Sequence, residues 1–448
     1  MADVLVDLAK LLTTTTTLIF SDCSPVVSQE KLDGSMLIKQ RATAMRHHVA
    51  YHARKRRYWV NGALLMMFIY MFFIWVATRN ISTIANASSE VDGTFEFVEE
   101  NEALEDNMAL QVPKTSRCAI NFFGLPRSFE SMVLPSMTRN VFRRNARFGC
   151  DYFIHYYHRE EESSGRAGQG GTINPDEVLL MKQRILNAAK NAKSTPNRHP
   201  AVIFVKDTEE EFWEKRGKLV EKYRTTTASD GNYLYYPWKA KTYHYPESLD
   251  NIVKQWHSIQ SVWEAMEEYT RLTGQPKYDR VAMMRLDVLY ALPVDIFKTD
   301  KGSVDRQNKY AVSPGFAKYP VNDRLFYGPY DAVKIWATER FSRLDDHVHN
   351  YEPGWGMHSE RFLESAIFTA IEKTGIPMTE NPDICVMRVR ADQSVWMNDC
   401  ITMAGTTRGM KRIARQKLIE KILGRPCVKS KLRYAVYQLH CPTGSIDQ

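Results

Sequence analysis

No two cysteines of this chain stand in C-x-x-C spacing, and there are only 7 among its 448 residues. That scarcity argues against a structural zinc site built on thiolates. Glycine (22) and proline (19) are at ordinary use and show no period, which excludes collagen-like and low-complexity classes. No internal repeat is evident. The one glycine-rich segment, residues 165–171, lacks the lysine pattern of a phosphate-binding loop and precedes no strand-to-helix turn, so it reads as a surface loop. At 44% hydrophobic and 25% charged, the chain is neither a disordered tail nor a many-span membrane protein. Its length suits one large or two ordinary domains.

Charge is present but unevenly spread beneath the formal net of +8. Residues 1–57 carry nine basic and five acidic side chains, residues 58–78 carry none, and residues 79–117 carry three and eight. The remainder carries the excess of basic charge. The uncharged run contains an unbroken apolar stretch at 63–77, and at about 1.5 Å per residue the whole run spans roughly 31 Å, the thickness of a bilayer core. Tyr58, Trp59 and Trp75 stand where interfacial aromatics are favoured. Arg54, Lys55, Arg56 and Arg57 precede the run and only Arg79 closely follows it, so the positive-inside bias puts the N-terminus in the cytosol. The expectation is a single-pass type II signal anchor at 58–78, with a cytosolic tail at 1–57, an acidic stem at 79–116 and a lumenal domain at 117–448. A buried core helix and a cleaved signal peptide are the alternatives, and the tetrabasic flank and the long preceding tail argue against them. Cys23 falls before the span and the other six cysteines beyond it, an even number that permits three disulfides in fifteen connectivities. An oxidising lumen suits them. Asn80 and Asn86 head glycosylation sequons, Asn80 close to the bilayer.

Beyond the stem the pattern alternates. Residues 118–123 read as a strand, closed by Gly124-Leu125-Pro126-Arg127, and residues 131–144 read as a helix with Met132, Val133, Met137 and Val141 on one face. A second strand is predicted at 151–157 and a third at 201–205. Asn174-Pro175 opens a helix, and Thr208 with Glu211 spells a capping box for another. Residues 250–272 show a helical stripe of Ile252, Trp256, Ile259, Trp263 and Met266, stopped by Gly274. A strand at 278–284 leads directly into Arg285-Leu286-Asp287. The predicted class is α/β, a mostly parallel sheet with helices on both faces. Residues 233–245 are rich in aromatics and carry two lysines; they line a sugar or base pocket or pack on the core.

Asp287 is the sharpest local feature, since open α/β sheets bind ligands at the carboxyl ends of their strands. A carboxylate there can hold a divalent cation bridging a diphosphate, with Arg285 offsetting phosphate charge; a structural Arg285–Asp287 ion pair is the competing reading.

These residues also carry a resemblance. The helix at 252–260, Tyr278-Asp279-Arg280-Val281, Met284-Arg285-Leu286-Asp287, Asn322-Asp323-Arg324-Leu325-Phe326-Tyr327-Gly328, and His358-Ser359-Glu360 with Leu363 and Ile376, preceded by Gly124 and Arg127, together resemble a broad group of GT-A-type glycosyltransferases over about residues 117–390. Arg285 stands where a first acid of an Asp-x-Asp pair is usual. The resemblance implies a GT-A-like fold and transfer of a sugar from a nucleotide-sugar donor to a glycan or glycoprotein acceptor, in the Golgi or endoplasmic reticulum, with no nucleic-acid partner. It implies Arg127, Arg285 and Asp287 at the donor phosphates, and a divalent cation, Mn or Mg, on Asp287 with a second ligand from His358, or alternatively Glu360. It leaves Asp323 and Glu360 as candidates to deprotonate the acceptor hydroxyl. The bland readings are a turn residue for Asp323 and a first-turn helix acid for Glu360. A catalytically inactive lumenal binding or partner protein of the same fold, and a lumenal sulfotransferase, are the alternatives in function. The sulfotransferase needs a phosphate-cradling strand-loop-helix near the domain start.

Overall fold

The computed structural model describes residues 116–429 and 438–443, apart from short segments at 165–169, 193–198, 240–242, 300–302, 306, 317, 352–353 and 401–411. The chain divides into two units, Met1–Val98 and Glu99–Gln448, and every described residue belongs to the second. The expected tail, anchor and sequons, nearly all of the stem, and Cys23 lie outside the described residues. Among the described residues, no helix is long and apolar enough to cross a membrane.

A seven-stranded, largely parallel sheet flanked by helices forms the frame. Its strands in chain order are β1 (Cys118–Gly124), β2 (Asp151–Tyr157), β3 (Val202–Asp207), β4 (Arg280–Arg285), β5 (Ala311–Pro314), β6 (Leu325–Pro329) and β7 (Met378–Asn381). Across the sheet they run β7-β5-β6-β4-β1-β2-β3. Strands β1 to β4 are mutually parallel, whereas β6 runs antiparallel to both of its neighbours. The β3-β2-β1-β4 half has the order of a doubly wound sheet, in which connections leave β1 in opposite directions and open a crevice between the carboxyl ends of β1 and β4.

Alternation along the strands explains why helices cover both faces. Ile120 and Phe122 of β1, Ile154 of β2 and Met284 of β4 point to one side, where they meet Met132, Met137 and Val141 of the helical segment at 129–148 and Ile185 of the helix Leu180–Asn191. Phe123, Phe153 and Met283 point to the other. There they meet Trp256, Ile259 and Trp263 of the helix Glu247–Thr273, and Trp336 of the helix Tyr330–Thr338. Strands covered on both faces need apolar residues at nearly every position, and β1, β2 and β4 read that way.

The element boundaries follow local chemistry. Asn174 caps its turn through Asp176 N–H at 3.3 Å, and the Thr208 hydroxyl and Glu211 carboxylate exchange the two bonds of the capping box at 3.2 and 2.7 Å. Gly274 ends the long helix in the left-handed region, φ 63°. The glycine-rich segment differs from the expected plain loop at its described end: Gly171–Thr172 pairs antiparallel with Glu161–Glu162.

The six described cysteines form three disulfides: Cys118–Cys150, Cys385–Cys400 and Cys427–Cys441. The first ties the start of β1 to the residue before β2. The other two secure the chain after the sheet, where Ser394–Trp396, Gln438–His440 and Val428–Lys429 form a small antiparallel sheet.

Candidate active site at the switch point

Three stretches of chain converge beyond the carboxyl ends of β1 and β4. After β1 the backbone turns at Gly124, whose φ of +120° disfavours any side chain, and Arg127 follows. After β4 come Arg285, the last strand residue, and Asp287. Leu286 N–H donates to Phe123 O at 2.9 Å and locks the two ends together. The third stretch follows the strand Val386–Arg388, which pairs antiparallel with Val288–Tyr290; Val389 N–H then donates to Asp287 O at 2.9 Å, bringing Arg388 and Arg390 to the crevice.

Asp287 is 2% exposed. Arg285 grips it twice, Nε to Oδ1 and Nη2 to Oδ2, both at 2.7 Å, and Arg127 Nη1 also contacts Oδ2. Burial alone would raise the Asp287 carboxyl; the guanidiniums of Arg285 and Arg127, with Arg390 beyond, outweigh it and hold the group well below the ordinary carboxylate range. The ion pair weighed in the sequence is therefore present, and it is larger than expected. Arg127 Nε also lies 2.6 Å from Glu162 Oε1, and Arg390 Nη1 lies 2.9 Å from the same oxygen. Five side chains thus alternate in charge: Arg285, Asp287, Arg127, Glu162, Arg390.

A pair of carboxylates sits beside this ladder. Because β6 is antiparallel, with Leu325 opposite Met284, its start brings Asp323 to the end of β4. The helical segment at 359–372 begins at the same place, and Ser359 Oγ donates to Asp323 Oδ2 at 3.0 Å. Burial works against the Asp323 charge, but Arg324 and Arg285, the Ser359 hydroxyl and Arg340 hold the group below its usual range. Glu360, its side chain 16% exposed, behaves oppositely. Burial, then the neighbouring Asp323 charge, push it up to about 7, while Arg324 and Arg388 resist. His358 Nδ1 lies 3.5 Å from Glu360 Oε2.

No family model matches the chain. No curated protein matches it either.

All six residues singled out in the sequence thus fall on the elements that meet here: Arg127, Arg285 and Asp287 in the ladder, Asp323, His358 and Glu360 in the carboxylate pair and its flank. Glu162, Arg388 and Arg390 were missed. No local motif marks them, since they arrive by long-range pairing. The aromatic stretch divides: Tyr235 and Tyr236 are buried in the core, Tyr233 stacks on Tyr245 with centroids 4.4 Å apart, and Trp238 remains 39% exposed. Residues 240–242 within it lie outside the described residues.

Among the described residues, one group of side chains could hold a metal ion by spacing, and it lies elsewhere. The ligand atoms of His155, Asp207 and His257 fall within 4.8 Å of one another, all buried. Neither Asp287 nor His358 belongs to such a group among the described residues. Proton placement in the His155–Asp207–His257 group favours a hydrogen-bond network. Arg216 Nε donates to His257 Nδ1 at 3.1 Å, which leaves the ring proton on Nε2, facing Asp207 Oδ2 at 2.7 Å. Burial pushes His257 down to about 4, against the Asp207 bond, so the ring is neutral at physiological pH. Lys215 takes the other Asp207 oxygen at 2.5 Å. His155 continues the network to Ser258 Oγ at 2.8 Å, which accepts Gly124 N–H at 3.0 Å. This network therefore braces the turn that carries Arg127.

Proposed function

We propose that the chain is a GT-A-like glycosyltransferase that moves a sugar from a nucleotide-sugar donor to a glycan or glycoprotein acceptor in the secretory pathway. The observation that carries this reading is the carboxylate pair: Asp323 held charged and Glu360 raised to about 7, beside an arginine-rich crevice at the switch point of the sheet. Paired groups pushed to opposite protonation states are the mark of an acid–base site. In a single-displacement transfer the acceptor hydroxyl must lose a proton as the sugar leaves its diphosphate. Glu360 is poised for that near neutral pH, and Asp323 raises its basicity. In this reading the arginines offset the charge that develops on the leaving phosphates. The sheet order, the uncharged run at 58–78 with its basic flank, and three disulfides suited to an oxidising lumen support the rest.

One observation favours the non-catalytic alternative: Asp287 is taken up in ion pairs. The sulfotransferase alternative loses ground for a different reason. The strand-turn-helix after β1 is present, but the first-turn N–H of Glu130 already donates to Glu177 Oε2 at 2.9 Å, so a carboxylate occupies the phosphate position. The deciding experiment incubates the full-length chain with a panel of nucleotide sugars and glycoprotein acceptors and reads donor consumption and transfer. Turnover that falls about 100-fold or more in Glu360→Gln supports the reading. Nucleotide diphosphate binding without turnover supports the binding protein, and neither binding nor turnover defeats both.

A further inference from the structure

The cation implied on Asp287 and His358 does not fit these residues. Three of the roughly four lone-pair sites of the Asp287 carboxylate are already taken by guanidinium donors, Oδ1 by Arg285 and Oδ2 by both Arg285 and Arg127. An ion placed there would stand against two guanidiniums. His358, the proposed second ligand, lies against Glu360 instead.

We infer that this crevice binds a diphosphate without a divalent cation, with Arg127 and Arg390 as the anion-binding pair. Three arginines and two carboxylates make up the ladder, leaving one positive charge in excess, and Arg388 stands close enough to disfavour the charge on Arg390. Burial, then Arg127 and Arg388, pull Arg390 down to about 10, against Glu162. A bound anion relieves that crowding. The pair is also pre-set. Ser128 Oγ donates to Arg390 O at 2.8 Å and Ala391 N–H donates to Glu162 Oε2 at 3.0 Å, so the backbone around Arg390 is fastened both to the turn after β1 and to the hairpin strand after β2. Among the described residues, Arg390 Nε is buried with no hydrogen-bond partner. Glu162 Oε1 contacts both Arg127 and Arg390 and spaces the two planar forks, whose geometry matches phosphate oxygens and which shed water more readily than an ammonium. Asp287 then serves to hold Arg127 and Arg285 in place.

The inference deepens the glycosyltransferase reading by naming how its donor is held, but the anion site stands on the ladder alone. Calorimetric titration of the full-length chain with UDP, GDP and inorganic pyrophosphate, in EDTA and again in Mn2+, tests it. At least one should bind in EDTA with an affinity within about twofold of that in Mn2+, weakening as salt rises. Arg390→Gln should weaken binding about 10- to 100-fold, the loss expected for hydrogen bonds to a charged group, with Arg390→Lys intermediate. Thermal melts of both variants confirm folding; should Arg390→Gln not fold, the Lys variant carries the test. Binding that appears only with Mn2+, no binding of any of the three probes, or unchanged binding by the folded variants overturns the inference. A chain that binds in EDTA yet transfers no sugar keeps this inference and removes the glycosyltransferase reading. One that transfers sugar only with Mn2+ does the reverse.

Discussion

Replacing Asp287 with Asn keeps the shape of the side chain and removes its charge, which makes it the most informative single change in the crevice. Arg285 loses its bidentate partner, while Arg127 retains Glu162 at 2.6 Å. Breaking a buried ion pair from one side costs about 3–5 kcal/mol, because the surviving charge is left uncompensated. The two arginine side chains are each 17% exposed, so water reaches them and the lower end applies. A second route agrees. Two guanidiniums bridged by one carboxylate oxygen sit about 5 Å apart, and at an effective dielectric of about 20 their unscreened repulsion is roughly 3 kcal/mol. For a domain of roughly 330 residues, with an unfolding entropy of about 2.1 cal/mol/K per residue, that corresponds to a fall of about 4–5 °C in the thermal midpoint. Circular dichroism of the full-length chain under non-reducing conditions reads it. Adding Arg127→Gln to the Asn variant removes the repulsion with Arg285 and should return part of the loss, a non-additive coupling of about 0.5–3 kcal/mol.

The pH dependence has a fixed sign. The folded carboxyl is depressed, so its contribution is complete above the unfolded value near 4 and is lost as pH falls through the folded value. The gap between native and Asn proteins should hold steady from about pH 5 to 8 and close below about pH 4. A variant melting within about 2 °C of the native chain at neutral pH, with no coupling to Arg127, refutes the counter-ion role.

Glu360 gives the opposite sign: its folded value is raised to about 7, so native stability declines as pH rises from the unfolded value near 4.5 through 7, and Glu360→Gln should melt higher than the native chain at pH 8 but not at pH 4. Non-reducing peptide maps should return the pairs 118–150, 385–400 and 427–441, and removing the first, which closes the longest loop, should cost about 3–4 kcal/mol. Zn2+ should leave the thermal midpoint unchanged, because Lys215 and Arg216 occupy the outer atoms of the His155–Asp207–His257 group, whereas Asp207→Asn should lower it. Protease digestion of sealed microsomes should trim only the short tail before residue 58; loss of the whole domain would defeat the expected orientation.

The elements legible in the sequence were those whose cause is local. The stripe from Ile252 to Met266 and the Thr208–Glu211 box each predict a helix from a few neighbouring side chains, and both are found. Strand boundaries shifted by a residue or two where pairing, and not composition, ends the strand: β3 runs to Asp207 because Tyr157 of β2 continues to pair with it. The antiparallel course of β6 had no local signal. Nothing in Leu325-Phe326-Tyr327 distinguishes its direction, yet that direction is what delivers Asp323 to Arg285.

The same distinction explains which site residues were missed. Asp287 announces itself as an acid ending an apolar strand, but what it does depends on which charges face it: Arg285 from its own strand, and Arg127, itself tied through Glu162 to Arg390, from distant segments. A lone carboxylate at a strand end suggests a metal ligand; one gripped by two guanidiniums acts as a counter-ion. The departure from a two-acid motif, with Arg285 in the first position, was the one sequence signal of that change. An arginine at that position removes a ligand and adds a cation in a single step. The remaining cation, Arg390, is supplied by a segment more than 100 residues away, held in place by Ser128 and Glu162. Positive charge for a diphosphate is thus assembled by topology, from the switch point of the sheet and the strand that returns past it.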